Sequence, residues 1–130
     1  MAKKIVLVGH CGADSAYLRI AVGSAAKDAT IVAADDSSDL NRALQDGADL
    51  VLVNRQLDYG FPTEEGVELI RSLREKHPNL SYMLVSNYPE AQEAAVAAGA
   101  LPGFGKREIG SPRVKELLRA ALLRDDKVAQ

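Results

Sequence analysis

Ala48-Asp49-Leu50-Val51-Leu52-Val53-Asn54-Arg55-Gln56 sets the reading of this chain. An acidic lead-in, four consecutive branched apolar residues and an abrupt polar stop describe a buried strand that ends at a surface. A run this short, apolar on both faces, suits the central strand of a parallel sheet covered on both sides. Its carboxyl end then lies in the crevice where open α/β sheets bind ligands. The residue there is Asn54, an amide that donates and accepts hydrogen bonds but does not ionise.

Outward from this stretch, short apolar runs alternate with longer amphipathic ones, the pattern of repeated βα units. A first strand is expected over Lys4–Val8, then a turn, Gly9-His10-Cys11-Gly12. Asp14 or Ser15 is expected to cap a helix reaching about Ala26, with Tyr17, Ile20 and Ala21 inward. The second strand is read as Thr30–Ala34. A short helix follows, capped by Ser37 or Ser38, with Leu40, Ala43 and Leu44 inward and Gly47 as its stop. After Asn54 a polar loop runs from Arg55 to Pro62. A third helix is expected over Thr63–Lys76, with Val67, Ile70 and Leu73 on the sheet and Glu64 and Glu65 in its first turn.

Pro78 marks the exit from that helix, with His77 beside the dipole's negative end. A fourth strand covers about Ser81–Ser86, and Pro89 opens an alanine-rich helix that stops at Gly99. A brief fifth strand, Pro102–Gly105, ends at Lys106. Ser111 and Pro112 start the last helix, whose apolar face is Val114, Leu117, Leu118, Ala121 and Leu122. The expected architecture is α/β, a three-layer (βα)5 sandwich with right-handed crossovers. It forms one domain over residues 1–125, with 126–130 a frayed tail.

The 130 residues suit a single domain with a sizeable core. A net charge of −2 spread over both signs offers no basic patch, which disfavours direct nucleic-acid binding. No apolar run approaches the ~20 residues of a membrane span. The single cysteine, Cys11, cannot close an internal disulfide. With no targeting segment the expected compartment is the cytoplasm.

At this point the sequence resembles the receiver domain of bacterial response regulators, the phosphorylatable modules of two-component signalling, over nearly its whole length. The match is carried by Asp49–Val53 leading to a polar residue, Gly66-Val67-Glu68-Leu69-Ile70, and Leu84-Val85-Ser86. Its strongest part is Ala97-Ala98-Gly99-Ala100, followed six residues later by Lys106. The resemblance implies a flavodoxin-like parallel sheet in the order 2-1-3-4-5. It also implies an aspartate that accepts a phosphoryl group at the end of strand three, and a Mg²⁺ held with an acidic pair after strand one. A Ser/Thr and a Lys would contact the phosphoryl group. Laid on this chain, the acceptor position is Asn54, the acidic pair falls on Gly9 and His10, and Ser86 and Lys106 match. The aromatic switch position is Gly103, with Phe104 next door, and Arg107 stands where a proline commonly follows the lysine. The loop between Asn54 and Gly66 is about four residues longer than usual in the family.

These departures decide the expected chemistry. Acyl-phosphate formation needs a carboxylate oxygen as nucleophile, which an amide does not supply. Mg²⁺ takes hard oxygen ligands, usually with one or two carboxylates, and all three family carboxylates are missing here. The expectation is a degenerate, or pseudo-, receiver that signals through a protein partner without Mg²⁺-dependent phosphorylation. That partner would be a sensor kinase, an output domain or another signalling protein. The resemblance also offers a homodimer through the face of the fourth helix, fifth strand and fifth helix. Lys106, without its anionic partners, is expected to bond the Asn54 carbonyl or pair with Asp35 or Asp36. No catalytic residue, metal or cofactor is assigned. Whether the chain stands alone or belongs to a longer one stays open.

A second reading makes His10, Cys11 and Asn54, with Asp14 or Asp36, a metal or small-molecule site. Adjacent ligands with no second His or Cys nearby lack metal-site spacing, so a turn histidine and a small, partly buried thiol are the plainer account. Gly9-His10 is also similar to the histidine-presenting turn of cobalamin-binding domains, but Val8 and Ala13 occupy its supporting Asp and Gly positions. The glycines form no dinucleotide fingerprint. Finally, Tyr59 and Phe61 sit on the long loop at the ligand-facing end, either as exposed binding aromatics or folded back as a lid.

Overall fold

The structure, a computed structural model, describes residues 3–128. Its strands are β1 (Lys4–Val8), β2 (Thr30–Ala34), β3 (Leu50–Asn54), β4 (Ser81–Val85) and β5 (Leu101–Phe104). They form one parallel sheet in the order β2-β1-β3-β4-β5. The helices are α1 (Gly12–Ala25), α2 (Ser37–Gln45), α3 (Gly66–Lys76), α4 (Pro89–Ala97) and α5 (Pro112–Val128), with a 3₁₀ turn at Lys106–Glu108. This is the flavodoxin-like arrangement that the sequence led us to expect. The expected tail at 126–130 falls at the end of α5 and on two residues outside the described ones. Among the described residues no helix is long and apolar enough to cross a membrane.

Successive strand residues face opposite layers, so β1 to β4 each feed two cores. Val6, Val8, Val51, Val53, Tyr82 and Leu84 meet α2, α3 and α4 through Leu40, Leu44, Ile70, Leu73 and Ala95. Ile5, Leu7, Leu50, Leu52, Met83 and Val85 meet α1 and α5 through Leu18, Val22, Val114 and Leu118. Leu50 to Val53 are fully buried, which is why that stretch shows no alternation of polar and apolar residues.

Several local expectations are corrected. The cap of α1 is Cys11, whose sulfur accepts from the Asp14 amide at 3.4 Å, and the cap of α2 is Asp36. Tyr17 and Ile20 are exposed, while Leu18, Ala21 and Val22 face the sheet. α1 carries apolar residues nearly all round, so spacing alone admits two inward stripes, and packing on α5 and the sheet selects one. The third helix starts at Gly66, not Thr63, and turns Leu69 inward while Val67 is only half-buried. The delay has a cause: Leu57 donates to the Glu64 carbonyl and Gly66 to that of Arg55, at 2.8 and 2.7 Å. This short antiparallel pairing keeps Glu64 and Glu65 extended before the helix. Gly66 is required there, since a Cβ would lie 2.1 Å from the Asn54 carbonyl oxygen.

Candidate functional site at the carboxyl edge of the sheet

The carboxyl ends of β1, β3, β4 and β5 converge on two adjoining cavities. One, of about 480 Å³, is lined by Gly9, His10, Cys11, Asp14, Asp35, Asn54, Gln56, Asp58, Phe61 and Lys106. The other, of about 250 Å³, is lined by Asn54, Arg55, Gln56, Val85, Ser86, Asn87, Tyr88 and Lys106. Asn54 and Lys106 border both. The fold therefore brings together Gly9, His10, Asn54, Ser86 and Lys106, residues up to 97 positions apart in the chain (from 9 to 106).

Asn54 ends β3 with its amide nitrogen turned inward. Nδ2 donates to the Gly9 carbonyl at 3.1 Å and to the Gln56 carbonyl at 2.9 Å. Both partners are acceptors only, so the site is built around a donor. A carboxylate at this position would set an oxygen against two carbonyl oxygens. Gly9 holds the turn with φ 73°, and a Cβ on it would meet the Leu57 side chain at 2.5 Å. The acceptor position and its neighbour are thus coupled: the amide is tied to the turn where the family carries its acidic pair.

His10 lies in the turn after β1, as expected. It is buried, and its Nε2 donates to the Leu52 carbonyl at 2.9 Å while Nδ1 is buried with no hydrogen-bond partner. Burial pushes the imidazole pKa below its usual value. The Leu52 bond works against that shift, Lys106 adds to it, and Asp14 and Asp35 oppose it. A neutral ring protonated on Nε2 follows.

Lys106 meets neither Asn54 nor Asp35 or Asp36. Its Nζ lies 2.9 Å from Asp14 Oδ2, and the hydrogen bond to Lys106 holds the Asp14 carboxyl below its ordinary range. The reason is geometric: α1 begins early, which sets Asp14 in its first turn above the crevice, and Asn54 presents its donor end to the backbone. Ser86 is buried, its hydroxyl accepting from the Tyr88 amide at 3.2 Å and its own amide donating to the Phe104 carbonyl at 2.9 Å.

The two loop aromatics part company. Phe61 is 7% exposed, packs in the core cluster beside Gly9 and lines the crevice, the folded-back of the two expected arrangements. Tyr59 is fully exposed. The loop is tied down where Ser37 donates to the Gly60 carbonyl at 2.9 Å.

The family's Mg²⁺ does not fit these residues. Gly9 offers no side chain, the inner nitrogen of His10 is engaged with Leu52, Asn54 presents an amide nitrogen, and Asp14 is paired with Lys106. Among the described residues no group of three His, Cys, Asp or Glu is placed to hold a metal ion, which also weighs against a metal site on His10 and Cys11. Cys11 is exposed, not partly buried as expected, because it caps the first turn of α1 at the rim of the crevice.

Three features went unread in the sequence. The Arg55 guanidinium lies over the Tyr88 ring, 4.6 Å from its centroid, bridging the loops after β3 and β4. Asn87 Oδ1 accepts from the Arg107 amide at 3.2 Å. Gln92, on α4, bonds backbone groups of both β4 and β5. Each is a contact between side chains or loops distant in sequence, with no motif to announce it.

No family model and no curated protein sequence matches the chain. Solved structures do. A receiver domain protein (CheY-like) from Methanospirillum hungatei JF-1 superposes with a TM-score of 0.77 at 21% identity, covering 98% of this chain and 99% of its own. The signal receiver domain of an HD domain-containing protein from Pseudomonas fluorescens Pf-5 gives 0.80 at 19% identity, over 98% and 91%. NtrX from Brucella abortus gives 0.78 at 20% identity, over 99% of this chain but only 28% of NtrX. With five parallel strands in the order 2-1-3-4-5 and these likenesses, the chain has the fold of the CheY-like receiver domains of response regulators.

Proposed function

We propose that this chain is a receiver-type signalling module, not an enzyme, that works by protein–protein contact and takes no Mg²⁺-dependent phosphoryl group at Asn54. The observation that carries the reading is the Asn54 amide, which donates both of its hydrogens to the Gly9 and Gln56 carbonyls. An isolated Asp-to-Asn change would leave a crevice still shaped for a carboxylate. Here the surroundings match the amide, the positions of the acidic pair hold Gly9 and His10, and Lys106 pairs with Asp14. Each of these supports a trigger that has been replaced rather than merely damaged.

A protein partner then has to supply the differential binding that phosphorylation supplies elsewhere. The family resemblance points to the α4–β5–α5 face as the surface it reads, whether the partner is a kinase, an output domain or a second copy, and to the cytoplasm as its place of action. The test is backbone NMR of the protein titrated with Mg²⁺ and beryllofluoride. The proposal expects no saturable shifts at Asn54, Ser86 or Lys106. Saturable shifts at those amides, abolished by Lys106→Met, would overturn it.

A further inference from the structure

β5 does not pair with β4 in simple register. Met83 faces Leu101 and Val85 faces Phe104, so Leu84 stands opposite two residues, Pro102 and Gly103. Proline brings no N–H to the ladder. The bulge turns the Gly103 amide out of the ladder, and a buried backbone N–H needs an acceptor. Gln92 supplies it from α4. Its Nε2 donates to the Leu84 carbonyl at 2.9 Å and its Oε1 accepts from the Gly103 amide at 3.1 Å. The carboxamide thus takes up the Gly103 amide and adds a second donor to the Leu84 carbonyl.

The same nitrogen lies 3.1 Å from the Ser86 carbonyl and 3.3 Å from that of Phe104. Gln92 thus joins three elements at once: the wall of the crevice at Ser86, the end of β5, and the helix whose outer side carries Glu93, Val96 and Ala97. Only a side chain with donor and acceptor at this length does so. Glutamate lacks the donors, methionine lacks both, and asparagine is one methylene shorter. Room for it depends on Gly103, where a Cβ would stand 2.1 Å from the Leu84 oxygen and 2.8 Å from Gln92 Oε1.

We propose that Gln92 is a clamp that fixes α4 to β4 and β5 in one arrangement and makes the Ser86 turn and α4 move together. Displacing the Ser86 backbone in the crevice would break the Gln92 contacts and free α4. Conversely, a partner that grips α4 would hold the crevice wall. The inference is independent of how Asn54 is read, and its test uses neither metal nor phosphoryl donor.

The test compares amide hydrogen exchange and NMR relaxation dispersion in the wild type, Gln92→Met and Gln92→Glu. In Gln92→Met the Gly103 amide should exchange at least about tenfold faster, with millisecond exchange appearing at Ser86, Asn87 and along α4. Val51 and Leu52 on β3 should keep their protection. Gln92→Glu keeps the acceptor for Gly103 but sets a carboxylate against three carbonyls. It should therefore leave Gly103 protected while freeing the Ser86 turn, and it serves alone if the methionine variant does not fold. Wild-type protection and dispersion in both variants, or a uniform loss of protection over the whole sheet, would overturn the clamp.

Discussion

The crevice has two sides that are held in different ways. On the β1–β3 side a single uncharged side chain ties the backbone: the Asn54 amide donates to the carbonyls of Gly9 and Gln56. On the β4–β5 side the ties come from several residues. Ser86 is held through Gln92, Asn87 holds the loop after β5, and Lys106 turns to Asp14. The first side rests on one amide between two carbonyls. The second rests on side-chain ties to the backbone and one ion pair.

The largest effect should come from disturbing the β4–β5 side. Gly103→Ala drives a methyl into the Leu84 carbonyl and the Gln92 amide, and a loss of about 3 kcal/mol in urea unfolding is expected. A near-neutral result would mean that β5 and α4 are free to shift, and the contrast between the sides would fail. Next comes Asn54→Asp. It removes a donor from two carbonyls and adds charge, and should cost about 2 kcal/mol at neutral pH. Because the carbonyls raise the new carboxyl's pKa in the folded state, stability relative to wild type should return as the pH falls and the group is protonated. Unchanged stability at pH 7 would show that the crevice tolerates a carboxylate after all.

The buried histidine gives a smaller, pH-dependent signal. Its pKa is lowered in the fold by burial, so the unfolded chain takes up the proton first. Its contribution is present above the unfolded value near 6.5 and is lost as the pH falls below it toward the folded pKa. The groups facing it are Lys106, Asp14 and Asp35. Urea midpoints should therefore drop between pH 7.5 and pH 5.5 in the wild type and much less in His10→Gln. Equal slopes would remove His10 from the account.

Smallest of all is the ion pair. Lys106→Met should change stability by under about 1 kcal/mol, since both partners keep contact with solvent. Asp14, its carboxyl pKa lowered chiefly by Lys106, contributes only above its unfolded value near 3.8 and loses that contribution as the pH falls below it. Thermal melts at pH 7 and pH 3 would read both.

Much of this was legible without coordinates. Uninterrupted burial at Leu50–Val53 announced a central strand, since two covered faces leave no room for alternation. Gly47 and Gly99, at φ 90° and 110°, marked helix ends because left-handed backbone favours glycine. The polar stop at Asn54 marked the crevice. Less legible was the face of α1. Its apolar residues surround the helix, so Tyr17 and Ile20 had as good a claim to the core as Leu18 and Val22. The start of α3 was equally hidden, because the pairing of Arg55 and Leu57 with Glu64 and Gly66 competes with helix formation and leaves no periodic trace.

The sequence by itself determined the βα order, the central strand and the amide at its end, because burial and residue chemistry act locally along the chain. Only the tertiary structure decided which groups those crevice residues meet. Asp14 reaches Lys106 across 92 residues, Asn54 reaches Gly9 across 45, and Gln92 bonds backbone groups of both β4 and β5 at the bulge. Such contacts depend on where the fold places a donor against an acceptor, and a side chain's hydrogen bonds carry no period for a sequence to display.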